Sequence, residues 1–228
     1  ENIEWTIDNY KFNKNPIINK NDYKEIKYLK NKFKIKIPTI TADFFMEDIY
    51  VKNGRLKDYK KFFIFLEGCS KNNIKTIVLP FVDNFSIRDK EDYLKIIIED
   101  FQSIKKILKK LKLEVAFETD LSPDQNYKFI KKLNSSTFGI NYDIGNSIGY
   151  GFNYRVEINR LIKLIKNVHI KNKKNNRTCN LFFDKGKIDK IIKYLLKRGY
   201  KKNFIFQSAR VRNKHFTIMK DYYNHFKI

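Results

Sequence analysis

The sequence predicts an α/β protein whose parallel strands close into a (β/α) barrel. Three observations carry this reading. Short runs rich in Ile, Val and Phe alternate with longer amphipathic stretches, and seven such runs recur along the 228 residues. Residues that carry chemistry fall at the ends of those runs, where a parallel barrel gathers its catalytic groups.

The apolar runs that suit buried strands are Asn2–Thr6, Lys34–Thr41, Ile74–Phe81, Leu113–Thr119, Phe138–Asp143, Asn167–Lys171 and Asn203–Ser208. Between them, Lys57–Lys71 and Asp89–Leu111 place apolar residues three and four apart, the spacing of a helix with one buried face. Ser122-Pro123-Asp124-Gln125 reads as a helix start, with a capping serine, proline at the first helical position and glutamine at the capping-box position. Ile188–Arg198 is a further amphipathic helix, and Gly199 is its natural stop. Pro, Gly and Ser are too thinly spread to mark a linker, so residues 1–228 are read as one domain. A closed barrel takes eight strands and about 250 residues. The first strand here begins at Asn2 with no helix before it, so the simplest expectation is a barrel lacking its first βα unit in this chain. An open doubly wound sheet is the alternative.

Composition narrows the function classes. A hydrophobic fraction of 42% can furnish a sizeable core, and no apolar run approaches the roughly 20 residues that span a bilayer, so no membrane partner is expected. The chain begins at Glu1 rather than Met, which leaves room for a leader upstream. Cys69 and Cys179 are too few for a disulfide framework or a zinc knuckle, so free thiols and a cytoplasmic location are expected. The net charge of +23 invites a nucleic-acid reading. Yet the lysines are scattered over nearly every polar face, and Asn, Ile, Tyr and Phe, which also have AT-rich codons, are enriched with them. The charge is therefore read as compositional, with no nucleic-acid partner expected, although it would still steer anionic ligands toward the protein.

The strand ends carry Glu4, Asp43, Asp83, Glu118, Asp143, His169 and Gln207. Any one carboxylate there could merely cap the next helix, and Asp83 and Asp120 fit that bland role. Acids, an imidazole and an amide at successive ends are a different matter, because a barrel brings those ends together. Two carboxylates, an imidazole and a side-chain oxygen make a mixed oxygen and nitrogen site suited to Mn²⁺, Mg²⁺, Co²⁺ or Zn²⁺. His169 sits within a strand between Val168 and Ile170, whereas His215 and His225 lie in a stretch that reads as a polar C-terminal tail. Trp5, Phe45 and Phe81 could wall the site, although aromatics so near strands are more often plain core.

At these residues the sequence resembles a known family. The stretches Ile3-Glu4-Trp5-Thr6-Ile7-Asp8, Phe117-Glu118-Thr119-Asp120-Leu121, Tyr142-Asp143-Ile144-Gly145-Asn146-Ser147, Asn167-Val168-His169-Ile170-Lys171 and Phe206-Gln207-Ser208-Ala209-Arg210 resemble, in order and spacing, the xylose-isomerase-like TIM barrel superfamily. The nearest branch is its sugar phosphate isomerases and epimerases. The resemblance implies a (β/α)8 barrel whose opening motif here lies on the second strand. It implies one divalent ion held by Glu118, Asp143, His169 and Gln207, and a ketose or ketose phosphate that reacts through a metal-stabilised enediolate. Glu118 would then be the proton-transferring base as well as a ligand. Glu4, Asn146, Lys171 and Arg210 would bind the sugar or its phosphate. Pairing into a homodimer is compatible with the resemblance.

Three departures bear on the chemistry. Gln207 stands where many epimerases of the superfamily have Glu, and an amide can ligate a metal but cannot act as a general base. Asn172 and Lys173 stand where Asp and Arg are expected, and Phe183-Asp184-Lys185-Gly186 replaces a more glycine-rich loop. With one base lost, one-base aldose–ketose isomerisation becomes more credible than two-base epimerisation. Two rival readings remain. One is a sugar-binding barrel without catalysis. The other is an abasic-site endonuclease of the same fold, disfavoured because its three-metal cluster needs more histidines than the three present.

Overall fold

The computed structural model describes residues 2–48, 55–174, 177–207 and 215–226. Seven parallel strands form one sheet in chain order: β1 (Asn2–Ile7), β2 (Lys36–Ala42), β3 (Thr76–Phe81), β4 (Glu114–Thr119), β5 (Phe138–Asp143), β6 (Ile165–Ile170) and, after a small hairpin, β9 (Phe204–Phe206). The hairpin pairs β7 (Asn172–Lys174) with β8 (Arg177–Cys179). Strand order equal to chain order is the topology of a (β/α) barrel and excludes the doubly wound alternative, whose order reverses part-way. The barrel is nearly closed. β1 and β9 are its two edges, and the Asn2 side chain donates to that of Asn203 at 3.1 Å across the gap between them. Seven strands agree with the expected lack of one unit.

The helices are α1 (Tyr23–Lys32), α2 (Phe44–Asp48), α3 (Lys60–Lys71), α4 (Glu91–Lys110), α5 (Pro123–Lys132), α6 (Ile144–Gly149), α7 (Tyr154–Leu161), α8 (Lys185–Lys197) and α9 (His215–His225). The expected start of α5 is realised: Ser122 Oγ accepts from the Gln125 N–H while the Gln125 side chain accepts from the Ser122 N–H, and Pro123 opens the helix. Gly199 follows α8 at φ +88°, a conformation that favours glycine. A core of phenylalanines fills the layer between strands and helices. Phe101 on α4 packs edge-on to Phe117 on β4 at 4.9 Å, and Phe45 packs against Phe62 and Phe81 at 5.1 and 5.8 Å.

Two expectations need correction. The C-terminal stretch is not a polar tail, because Tyr222 on α9 and Phe226 just after it are buried in the core. Phe45 and Phe81 belong to the phenylalanine layer and serve as core.

Candidate metal centre

Alternation along each strand sorts side chains between the helical layer and the barrel interior. Phe117 points outward, to rings on α4 and α5, so its neighbour Glu118 points inward. Tyr142 points outward, where its hydroxyl donates to Glu157 on α7 at 3.1 Å, so Asn141 and Asp143 point inward. The β5–β6 register sets Asn141 beside Asn167 and Asp143 beside His169. The interior that results is polar, and Glu118, Asp143 and His169 are all buried there. One potential ligand atom from each lies within 4.8 Å of the other two.

Hydrogen bonds hold this group from behind. Asn146 and Asn141 amides each donate to Glu118 at 2.8 Å, one to each carboxylate oxygen. The Asn146 backbone N–H donates to Asp143 Oδ1 at 2.7 Å, because Asp143 is also the cap of α6. Lys171 Nζ lies 3.6 Å from Asp143 Oδ2. Gly145 permits that approach, since a Cβ there would stand 2.8 Å from Lys171 Cγ. His169 lies between two carboxylates, with Nε2 at 2.8 Å from Glu4 Oε1 and Nδ1 at 3.2 Å from Glu118 Oε2.

The electrostatics follow from burial and proximity. Burial alone would raise Glu118, but the hydrogen bond and charge of His169, with Lys171, outweigh it and hold the carboxyl at about 2. Burial, and then the charge of Glu118, push Asp143 up to about 6. Burial opposes a charged His169, yet Glu4 and Glu118 together hold its pKa well above the usual imidazole range. Lys171 and a protonated His169 place positive charge beside these carboxylates, and a cation bound at the same atoms would take the place of one His169 proton. Three buried side-chain oxygens of this interior, Asp143 Oδ2, Asn146 Oδ1 and Asn167 Oδ1, have no hydrogen-bond partner among the described residues. Asp143 Oδ2 has only the Lys171 ammonium beside it at 3.6 Å, a contact too long for a hydrogen bond, so a closer cation would stabilise it. Two carboxylates and an imidazole around that atom fit a hard or borderline divalent ion.

The other candidate residues are placed less uniformly. Glu4 is engaged by His169, by the Thr41 hydroxyl at 2.7 Å and by the Asn167 amide at 3.1 Å. Gln207 follows β9, its N–H donating to the Ile170 carbonyl at 3.0 Å, and is exposed at the mouth. Arg210 lies outside the described residues. Asp83 approaches Lys173 at 3.9 Å, and Asp120 is buried beside the β4 end. The sequence reading assigned no role to Asp43 or Asn141. Burial, and then Glu118, Asp8 and Glu4, raise Asp43 to about 6. Asn141 is polar at an inward strand position, a signal that alternation along Phe138–Asp143 could have supplied.

Comparison with known proteins identifies the frame. A family model described as the xylose isomerase-like TIM barrel matches residues 9–222. The chain belongs to this family. No curated protein matches its sequence. Among solved structures, it is similar to 3-keto-D-glucoside 4-epimerase from E. coli, with TM-score 0.72 and 14% identity over 92% of this chain and 85% of that one. It is similar to a D-tagatose 3-epimerase-like protein, with TM-score 0.71 and 15% identity over 99% and 89%. It is also similar to a xylose isomerase-like TIM barrel protein from Mycobacterium smegmatis in complex with magnesium, with TM-score 0.64 and 15% identity over 84% and 72%. Sugar epimerases and a magnesium-bound protein are thus among the solved structures that share this fold.

Proposed function

We propose that this chain is a metal-dependent isomerase or epimerase of sugars or sugar phosphates, with Glu118, Asp143 and His169 as ligands and the Gln207 carbonyl oxygen as the fourth. The observation that carries this is the buried cluster of Glu118, Asp143 and His169, whose ligand atoms lie within 4.8 Å of one another and which includes Asp143 Oδ2, an oxygen with no hydrogen bond and only Lys171 at 3.6 Å. The epimerases and the magnesium complex on the same barrel support the class of reaction and the ion.

A divalent ion bound here would polarise a substrate carbonyl and ease loss of the neighbouring C–H proton. Glu118 would take that proton and return it to the adjacent carbon, while the proton of the neighbouring hydroxyl passes to the former carbonyl oxygen. Asn146 holds Glu118 in place and presents an unpartnered side-chain oxygen to a substrate hydroxyl. Lys171 steadies Asp143, and Arg210, outside the described residues, is the sequence's candidate for an anionic group of the substrate. Because Gln207 cannot accept a proton as a base, transfer by Glu118 alone between neighbouring carbons is favoured over exchange between two bases.

The test is metal analysis of the purified protein, followed by ketoses and their phosphates in deuterated water. Metal-dependent deuterium uptake at the carbon beside the carbonyl is expected, lost in Glu118→Gln. Full turnover after exhaustive chelation would exclude the metal, and unchanged turnover in Glu118→Gln would exclude the base. A second reading is favoured by one observation: two amides and His169 lower the basicity of Glu118. Tight sugar binding with no deuterium uptake would establish a binding protein.

A further inference from the structure

Glu4 enters the barrel interior from β1, on the far side of His169 from Glu118 and Asp143. Its carboxylate is nearly sealed from solvent, with the side chain 7% exposed. We propose that Glu4 is a positioning residue for the metal centre: it anchors His169 through Nε2 and so presents Nδ1 as the nitrogen that joins Glu118 and Asp143 in ligation. This rests on the metal-site reading above.

The argument is geometric. Nε2 lies 2.8 Å from Glu4 Oε1, so an Nε2–H donates to that carboxylate. Nδ1 faces the opposite way, 3.2 Å from Glu118 Oε2 and 3.0 Å from the Asn141 amide nitrogen. Glu4 is itself fixed. Thr41 donates to Oε1 at 2.7 Å and Asn167 to Oε2 at 3.1 Å. The Asn167 amide also donates to Asn141 Oδ1 at 2.9 Å, and the Asn141 amide returns to His169 and Glu118. A ring of hydrogen bonds thus runs Glu4, His169, Asn141, Asn167 and back to Glu4 across three strands. A ring nitrogen already donating to a buried carboxylate is unavailable to a cation, so ligation falls to Nδ1, which would exchange its contact with the Asn141 amide for the ion. Carboxylates placed behind ligating histidines in this way fix the tautomer and raise the basicity of the ligand. Glu4 has no comparable path to the ion, since His169 stands between.

Zinc is the probe, added to protein labelled with ¹⁵N at histidine. Long-range ¹H–¹⁵N spectra distinguish Nδ1 from Nε2 ligation, and His169→Ala assigns the signals. Zinc is expected to shift Nδ1 of His169 into the metal-bound range while Nε2 keeps its proton. Competition with a chelator should show zinc affinity reduced about 10- to 100-fold in Glu4→Ala. Glu4→Gln, whose carbonyl oxygen still accepts from Nε2–H, should fall between wild type and Glu4→Ala. It also keeps the volume of the site if the alanine variant fails to fold. Wild type that binds zinc no better than His169→Ala overturns the metal reading and this inference with it. Wild type that binds zinc through Nε2, or Glu4→Gln and Glu4→Ala that bind as tightly as wild type, overturns the role of Glu4 alone.

Discussion

At the scale of single residues, the barrel hides a titrating carboxylate outside the candidate metal centre. Glu157 on α7 receives hydrogen bonds from the Tyr142 and Ser147 hydroxyls, and burial, only partly offset by those bonds, raises its pKa from 4.5 to about 7. The folded state therefore holds a proton that the unfolded chain has released between pH 4.5 and 7. By linkage, stability from this group is full below that window and is lost as pH rises through it. Glu157→Gln, which keeps a neutral acceptor, should remove this loss. Urea unfolding of wild type and variant at pH 5 and pH 8 should differ in slope with pH by on the order of 2 to 3 kcal/mol. Parallel pH dependences would mean that Glu157 ionises normally. Glu118, Asp143 and His169 were legible in the sequence because each lies at or near the end of an apolar run. Their supports were not. Asn141, Asn167 and Glu4 meet only when β1, β5 and β6 are brought together, and nothing local to Asn167 announces a partner at Glu4.

At the scale of elements, strands were easier to read than helices, and burial explains why. β3, β5 and β6 are buried at every position; β3 reads as a nearly continuous apolar run, while in β5 and β6 apolar residues flank the polar side chains of the barrel interior. α1 buries only Ile26 among its ten residues, and its lysines leave no apolar stripe to recognise. α6 is six residues long and begins on a capping aspartate, Asp143, that is also a candidate metal ligand. In α9 the buried residue Tyr222, with Phe226 just beyond the helix, is spaced correctly but set among Lys, Asp and His, which made the segment read as tail. The pairing of β5 with β6 depends on one glycine. The Ile140 N–H donates to the Leu164 carbonyl at 2.9 Å, and a Cβ on Gly139 would collide with that carbonyl oxygen and stand 2.7 Å from Lys166 Cγ. The obstacle is backbone, so it cannot rotate away. Gly139→Ala is expected to destabilise the protein by about 1 to 3 kcal/mol, the range for overpacking. It should also weaken zinc binding, because β5 and β6 carry Asp143 and His169. An unchanged urea midpoint would show that the two strands part without cost.

At the scale of the whole molecule, a topology legible from seven alternating runs is combined with a charge that the fold does little to neutralise. The excess of 48 basic over 25 acidic residues leaves +23 on a 228-residue chain. Most described ion pairs reach the surface, such as Lys20 with Glu67 and Lys95 with Asp92, where each contributes at most about 1 kcal/mol. Repulsion among the remaining lysines therefore opposes compaction. Its range is set by salt, since the screening length falls from about 30 Å at 0.01 M to about 8 Å at 0.15 M. Spread over the surface of a small barrel, charges that sense one another at the lower concentration are largely screened at the higher. Raising sodium chloride across this interval should therefore raise the melting temperature, in contrast to a protein held together mainly by surface ion pairs. The same change should weaken binding of a phosphorylated ketose while leaving its unphosphorylated counterpart nearly unaffected, because only the former gains from the positive field. Calorimetric melting and titration of the two sugars at both concentrations test the two effects separately. A melting temperature that falls with salt would mean that ion pairs outweigh repulsion. Equal salt dependence for the two sugars would mean that the charge does not act at the mouth of the barrel.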